Sequence, residues 1–391
     1  MMIAFKLAYR NLIGAGLRTW LNVFVLSFTF VVIIWMKGIM VGWDYQAKTD
    51  TSNWQIGGGQ YWQQQYDPFD PFTFSDSHAK IPEILNKKII SGDLEPSLIV
   101  GGNIYPHGRM QSIAIVGVNP YQNVLLLPSQ KLDTFANAIP AIIGLTTAKN
   151  LKLKKGDFTT IRWRDAKGMF DASEICIVDI FSCNVPAVEA GKIYIPLAIL
   201  QKITGMENEA TILTFRKNKM DEQKVDNWVL KTKEDLTKSI DEMIKTKTFG
   251  QSVFYGILLL LSMLAIYDTQ VLSIFRRQKE IGTYIALGYT RTQVIALFTV
   301  EGAMYSILAA LVSAVYGIPF LMWQAKAGWT LPVDASEFGM AMAQTLYPVY
   351  SIVLVISTVL LIVFITTLVS YWPSRKIGKM NPTDALRGKV Q

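Results

Sequence analysis

Four stretches of the chain are long, apolar and free of charge. They are Leu21–Met36, prolonged past Lys37 by Gly38–Val41, then Thr248–Tyr267, Gly302–Ala325 and Phe338–Ser374. Crossing a bilayer takes about 20 mostly apolar residues, so the pattern predicts spanning helices over 20–41, 249–271, 292–322 and 346–371. Pro373 is expected to break the last of them ahead of a tail over 372–391. Between the first two spans the periodicity changes. Short alternating or apolar runs at Pro96–Val100, Gln111–Val118, Asp157–Arg164, Glu174–Phe181, Lys192–Tyr194 and Ala210–Phe215 predict strands. Helical spacing appears at Ile81–Ser91, Asp133–Ile139, Pro196–Ile203 and Asp221–Met243. The expected fold class is an α-helical membrane protein with four transmembrane helices. A large α+β extracytoplasmic (periplasmic) domain over 42–248, and not a barrel, lies between helices one and two.

Residues 1–19 read as an amphipathic surface helix. Phe5, Ala8, Leu12 and Ala15 fall near one face, while Lys6, Arg10 and Arg18 offer charge to lipid headgroups. A cleavable signal peptide would have a shorter apolar core and a small-residue cleavage site, so a retained first span is expected. Trp20 and Trp43 bracket that span as interface anchors.

Charge orients the spans. Charged residues make up 17% of the chain and the formal net charge is +8. Residues 42–248 hold 24 Lys plus Arg against 24 Asp plus Glu, so the large domain is neutral. The first 20 residues carry +3, the loop between spans two and three +2, and the tail +4. The short outer loop over 323–345 carries −1. Lys and Arg gather on the cytoplasmic side of membrane proteins. The expected placement is therefore a membrane with both termini on the cytoplasmic side and the large domain on the other. The basic balance is a topology signal; no nucleic-acid partner is expected.

The loop over 272–291 stands out within this frame. Arg276, Arg277 and Lys279 precede Glu280, Ile281, Gly282, Ala286, Leu287 and Gly288, whose spacing makes a short helix with a packable face. The pattern fits either a helix that transmits force from a soluble partner or a basic stop signal that only fixes topology. Glu301, an acid early in span three, should meet a partner because a carboxylate in hydrocarbon costs about 2.5–3.5 kcal/mol. Arg277 and Arg291 are in reach by sequence, and a structural or a mechanical role both fit.

Enzymatic chemistry has no foothold. His78 and His107 lack partners at metal-ligand spacing, so neither a catalytic nor a metal site is expected. Cys176 and Cys183 fit a bridge or two separate thiols. Gly57-Gly58-Gly59 is not followed by Lys-Ser/Thr, and no nucleotide-binding loop occurs. The chain is therefore expected to bind no cofactor. The aromatic segment with Trp54, Tyr61, Trp62, Phe69 and Phe72 fits either substrate contact or packed core.

Four passages resemble the FtsX-like permeases of ABC transporters, the mechanotransmission (type VII) class that includes the MacB and LolC/LolE proteins. They are Phe5, Ala8, Arg10-Asn11-Leu12 with Arg18-Thr19; Ile143-Gly144 with Ala148, Leu151, Leu153 and Gly156-Asp157; the central Arg277, Lys279–Gly282, Ala286–Gly288 with Glu301; and the tail Asn381-Pro382 with Ala385–Arg387. The order of helix, large domain and three helices matches along the whole chain. The resemblance implies that the central loop is a coupling helix docking on an ABC ATPase. The nine residues from Arg276 to Gly288 named above would make that contact, with Glu301 as the family's helix-three acid. It further implies that ATP and Mg sit on the ATPase, that a second permease subunit completes a homo- or heterodimer, and that membrane lipid surrounds the spans. A periplasmic lipoprotein carrier or an adaptor would be the outer partner. Release of lipoproteins toward the outer membrane is the first expected function. MacB-like export of a drug, peptide or toxin, and a signalling scaffold for a cell-wall hydrolase, are alternatives.

Overall fold

The computed structural model describes residues 17–134, 138–221, 223–330, 343 and 345–380. The amphipathic segment up to residue 16 and the tail motif from Asn381 lie outside the described residues. Two compact units emerge, a helical bundle and a mixed α/β domain, which the chain enters and leaves through long helices.

The bundle is built from α1 (Leu17–Thr51), α6 (Lys233–Arg276), α8 (Arg291–Ala327) and α9 (Ile352–Ser374), with a short α7 (Gln278–Ala286) between α6 and α8. All four long helices have the length and composition to cross a membrane. At about 1.5 Å per residue the 44 residues of α6 reach about 66 Å, roughly twice a hydrocarbon core. Val23, Leu26, Phe30 and Ile33 of α1 pack with Tyr255 and Ile266 of α6, Met304, Tyr305 and Ala309 of α8, and Ile362 of α9. Hydrogen bonds join the helices where apolar contact alone gives little driving force in lipid: Thr29 with Ser262 (2.7 Å), Ser27 with Tyr316 (3.1 Å) and Lys37 to Thr358 (3.2 Å).

Several boundaries differ from the periodicity reading. The last span begins at Ile352 and not at 346, because Ser351 caps it by accepting the Leu354 N–H (3.1 Å). It runs through Pro373 to Ser374 before tightening into a 3-10 turn over Arg375–Lys379. Asp221–Met243 is not one helix. Trp228–Lys231 is a strand, since Trp228 is drawn into a core, and α6 starts only after Thr232. There Thr232 and Asp235 exchange side-chain to backbone hydrogen bonds (both 3.1 Å), a capping box. Asp133–Ile139 is not helical where it is described; Ile139 opens a strand. Trp43 is buried in place of anchoring at an interface, whereas Trp20 is exposed.

The α/β domain carries strands β1 (Gln60–Gln63), β2 (Ala79–Lys80), β3 (Leu94–Ile104), β4 (Gln111–Val118), β5 (Ile139–Gly144), β6 (Phe158–Arg164), β7 (Phe170–Phe181), β8 (Lys192–Pro196), β9 (Glu209–Ala210), β10 (Ile212–Phe215) and β11 (Trp228–Lys231). Its helices are α2 (Glu83–Ile90), α3 (Leu145–Leu151), α4 (Pro186–Glu189) and α5 (Leu197–Thr204). Nine strands follow the order β11-β1-β10-β3-β4-β8-β5-β7-β6, and β6 then pairs back to β3 through Gly102↔Trp163 and Ile104↔Ile161. Six strands thus close into a barrel, which corrects the expectation that the α+β domain holds none. Ile115, Ile143, Ile161, Ile177, Ile193 and Ile195 fill its interior, and Leu151 of α3 and Leu200 of α5 join the same core. The alternation along β6, with Thr159, Ile161 and Trp163 inward, is what one lined face requires. The first residues of β3 leave the barrel to pair with β10, extending a second lobe. There Tyr61, Leu94, Leu213, Phe215 and Trp228 pack on Leu85 of α2. β2 and β9 form a separate two-stranded pair, whose Ala210 joins the core of this second lobe.

Candidate functional site

The hairpin α6–α7–α8 is assembled around a small apolar core. Ile274 from the end of α6, Ile281 from α7, Val294 and Phe298 from α8, and Ile377 beyond α9 pack together and are buried. The chain breaks from α6 at Arg277, whose backbone (φ −105°, ψ 21°) is not helical, and restarts as α7. It turns at Gly288, with φ +95°, a conformation open to glycine and strained for other residues. Thr290 then caps α8: its hydroxyl accepts the Gln293 N–H (3.3 Å) while Gln293 accepts the Thr290 N–H (2.9 Å). Arg291 donates to the Gly378 carbonyl (2.8 Å), tying the turn after α9 to the start of α8.

Electrostatics centre on Arg277. One terminal nitrogen donates to both oxygens of Glu301 (3.0 and 2.8 Å), and Nε donates to Glu280 (2.7 Å). The guanidinium also lies over the Phe298 ring, 4.9 Å from its centroid. Glu301 is 5% exposed, so its carboxylate depends on this pairing. Arg291, the other cation in reach by sequence, is engaged elsewhere. The next residue, Gly302, presses α8 against Ser370 of α9: a Cβ there would stand 2.2 Å from Ser370 Oγ.

The nine expected contact residues therefore divide. Arg276, Lys279, Glu280, Ala286, Leu287 and Gly288 lie on the outside of the hairpin, with Leu287 72% exposed beside Tyr289. Ile281 belongs to the hairpin core, and Gly282 is buried next to it. Arg277 likewise points into the hairpin, toward Glu301. Phe298 and Ile377, which complete the core, were not picked out by sequence; Phe298 sits three residues before Glu301 on the same α8 face, a spacing that could have flagged it.

The aromatic segment divides in the same way. Trp54 stacks on Phe181 (5.9 Å), Tyr61 donates to the Gln223 carbonyl (2.5 Å) from full burial, and Trp62 donates to Gln60 (2.7 Å). Those three serve packing, while Phe69 and Phe72 stand 87% and 91% exposed. His78 pairs with Glu209 (2.5 Å), and Cys176 and Cys183 are free thiols with no bridge between them. Among the described residues no group of three or more His, Cys, Asp or Glu could hold a metal ion.

Residues 252–382, which contain the hairpin, match the family described as FtsX-like permease C-terminal. The chain is also 25% identical over 266 residues to an uncharacterized ABC transporter permease of Methanocaldococcus jannaschii, an alignment covering 63% of this chain. It spans 62% of that relative's length. Together with the four candidate spans, these matches support likeness to an FtsX-like ABC transporter permease, carried chiefly by residues 252–382.

Proposed function

We propose that this chain is the permease subunit that relays the motion of a separate ATPase to its own α/β domain. In this reading α7 is the coupling helix and faces the cytoplasm with both termini, and the α/β domain is periplasmic. ATP and Mg belong to the ATPase, and a second permease subunit completes the transporter. The observation that carries the reading is the hairpin. Arg276 at the end of α6, Lys279 and Glu280 of α7 and Leu287 just beyond it face outward, while the inner side is held to α8 by Ile281 and by the Arg277–Glu301 pair. A helix fixed inside and bare outside, capped by an apolar side chain among charges, has the composition of a docking surface. In this reading, force applied to the hairpin passes into α8 through Ile281, Phe298 and the Arg277–Glu301 pair.

The substrate reading we favour is release of lipoproteins from the inner membrane toward a soluble carrier. Export through an adaptor is the reading that co-purification of an adaptor with an outer-membrane channel would put in its place. The test of the coupling itself is co-purification of the full chain with its ATPase, followed by hydrolysis measurements. Glu280→Lys should abolish stimulated hydrolysis while the α/β domain stays folded. Normal stimulation in that variant, or a purified complex without any ATP hydrolase, would overturn the assignment.

A further inference from the structure

The α/β domain carries a second feature that coupling does not use. From Asp67 the chain runs Asp-Pro-Phe-Asp-Pro-Phe to Phe72, the same tripeptide twice. The loop is closed at its base by Tyr66 stacked on Phe74 (6.0 Å), and Tyr66 is braced in turn by Trp62 (5.2 Å). Each aspartate holds the aromatic residue two positions on. Asp67 Oδ1 accepts the Phe69 N–H (2.9 Å) and Asp70 Oδ1 accepts the Phe72 N–H (3.0 Å). Thr73 Oγ1 donates to the Asp70 carbonyl (2.8 Å), and Pro68 and Pro71 restrict the backbone between. The result is a preformed tip with two phenyl rings in solvent. Large apolar side chains held rigidly in water mark interaction surfaces, and a preformed tip loses little freedom on binding.

The charge around the rings selects the occupant. Asp67, Asp70 and Asp76 are exposed and, among the described residues, form no ion pair. Aromatic anchors that enter lipid are accompanied by Lys or Arg, which anionic headgroups attract; a ring of carboxylates is repelled there. We propose that the Asp67–Phe74 loop is a docking tip for a protein partner with an apolar cleft rimmed by Lys and Arg, Phe69 and Phe72 entering the cleft and Asp67 and Asp70 meeting the rim. This does not depend on the coupling helix or on an ATPase.

The test places the photoreactive analogue p-benzoylphenylalanine at Phe72 of the full chain, in cells that naturally produce the protein. Adducts are identified by mass spectrometry. The expected result is one protein adduct whose contact peptide is apolar with flanking Lys or Arg. Its yield should fall at least about fivefold when Asp67→Asn and Asp70→Asn remove the rim charges. Asparagine keeps the Oδ1 acceptor, so these variants leave the turns in place. A lipid adduct, an adduct with a second copy of this chain, no adduct, or a protein adduct indifferent to both aspartates would each overturn the proposal.

Discussion

The guanidinium of Arg277 is shared between Glu280 on the outside of the hairpin and Glu301 inside it, at 2.7 and 2.8 Å. The two carboxylates differ in what they would lose. Glu301 has exchanged water for this one cation, whereas Glu280 keeps about half its side-chain surface. Removing one member of a buried pair strands the other, at about 3–5 kcal/mol; an exposed pair is worth about 0–1 kcal/mol. Arg277→Ala, which strands Glu301, should therefore destabilise the purified chain by about 3–5 kcal/mol, and Glu280→Ala by under about 1 kcal/mol. Unfolding in detergent checks both. The exchange Arg277→Glu with Glu301→Arg should recover part of the loss, and failure to do so would show that the pair is not the source.

Gly288 offers a separate handle. Its φ of +95° is strained for any L side chain, yet a Cβ there would meet nothing within 4 Å. The cost of Gly288→Val is thus backbone strain without clash, about 1–3 kcal/mol. Gly288→Asn should cost less, since asparagine tolerates positive φ better. Equal losses for the two would show that the turn relaxes.

Gly302 is limited by contact and not by φ. Gly302→Ala would place Cβ 2.2 Å from Ser370 Oγ and 2.4 Å from Ser370 Cβ, forcing α8 and α9 apart. Overpacking of this kind costs about 1–3 kcal/mol. Ser370→Gly combined with Gly302→Ala should restore most of it. Thermal unfolding of the single and double variants gives the coupling directly.

Glu95, on β3, is buried with one carboxylate oxygen unpartnered among the described residues. Burial pushes its carboxyl up from 4.5 to about 7, and a hydrogen bond with Asn119 offsets only part of this. The folded domain therefore holds a proton that the unfolded chain has released. Stability should fall as pH rises from about 4.5 to about 7 and level off above that. Glu95→Gln should flatten this slope and gain stability relative to the parent at pH 8. Unfolding followed by tryptophan fluorescence from pH 5 to 9 reads it, and an unchanged slope would show that Glu95 is not the group responsible.

The spans were legible because twenty apolar residues in a row leave little else to be. Their ends were less so: Ser351 and Thr232 cap helices six residues later and sixteen earlier than hydropathy alone would start them. The barrel escaped because its closure depends on Ile104 meeting Ile161, and no local pattern reports a pairing across that distance. β5 was lost for a related reason. The run Ile139–Gly144 is short, apolar on both faces and preceded by helix-like spacing. At the hairpin the residue types were readable and their directions were not. Ile281 and Leu287 are both apolar residues in or just beyond one short helix, and only packing against Phe298 decides which faces inward. Trp62 and Phe72 divide likewise, one drawn onto Tyr66 and the other held out by the turn at Asp70.

The ring of strands has a consequence for biosynthesis. β3 finds its last neighbour in β6, and β4 finds one of its own in β8, so the cylinder cannot shut until the ribosome has passed Pro196. Until then Ile113, Ile115 and Ile143 have no opposite wall. A nascent chain halted before that point carries an unfinished, adhesive ladder, and fragments ending between β4 and β8 should be the ones that chaperones retain and proteases clear.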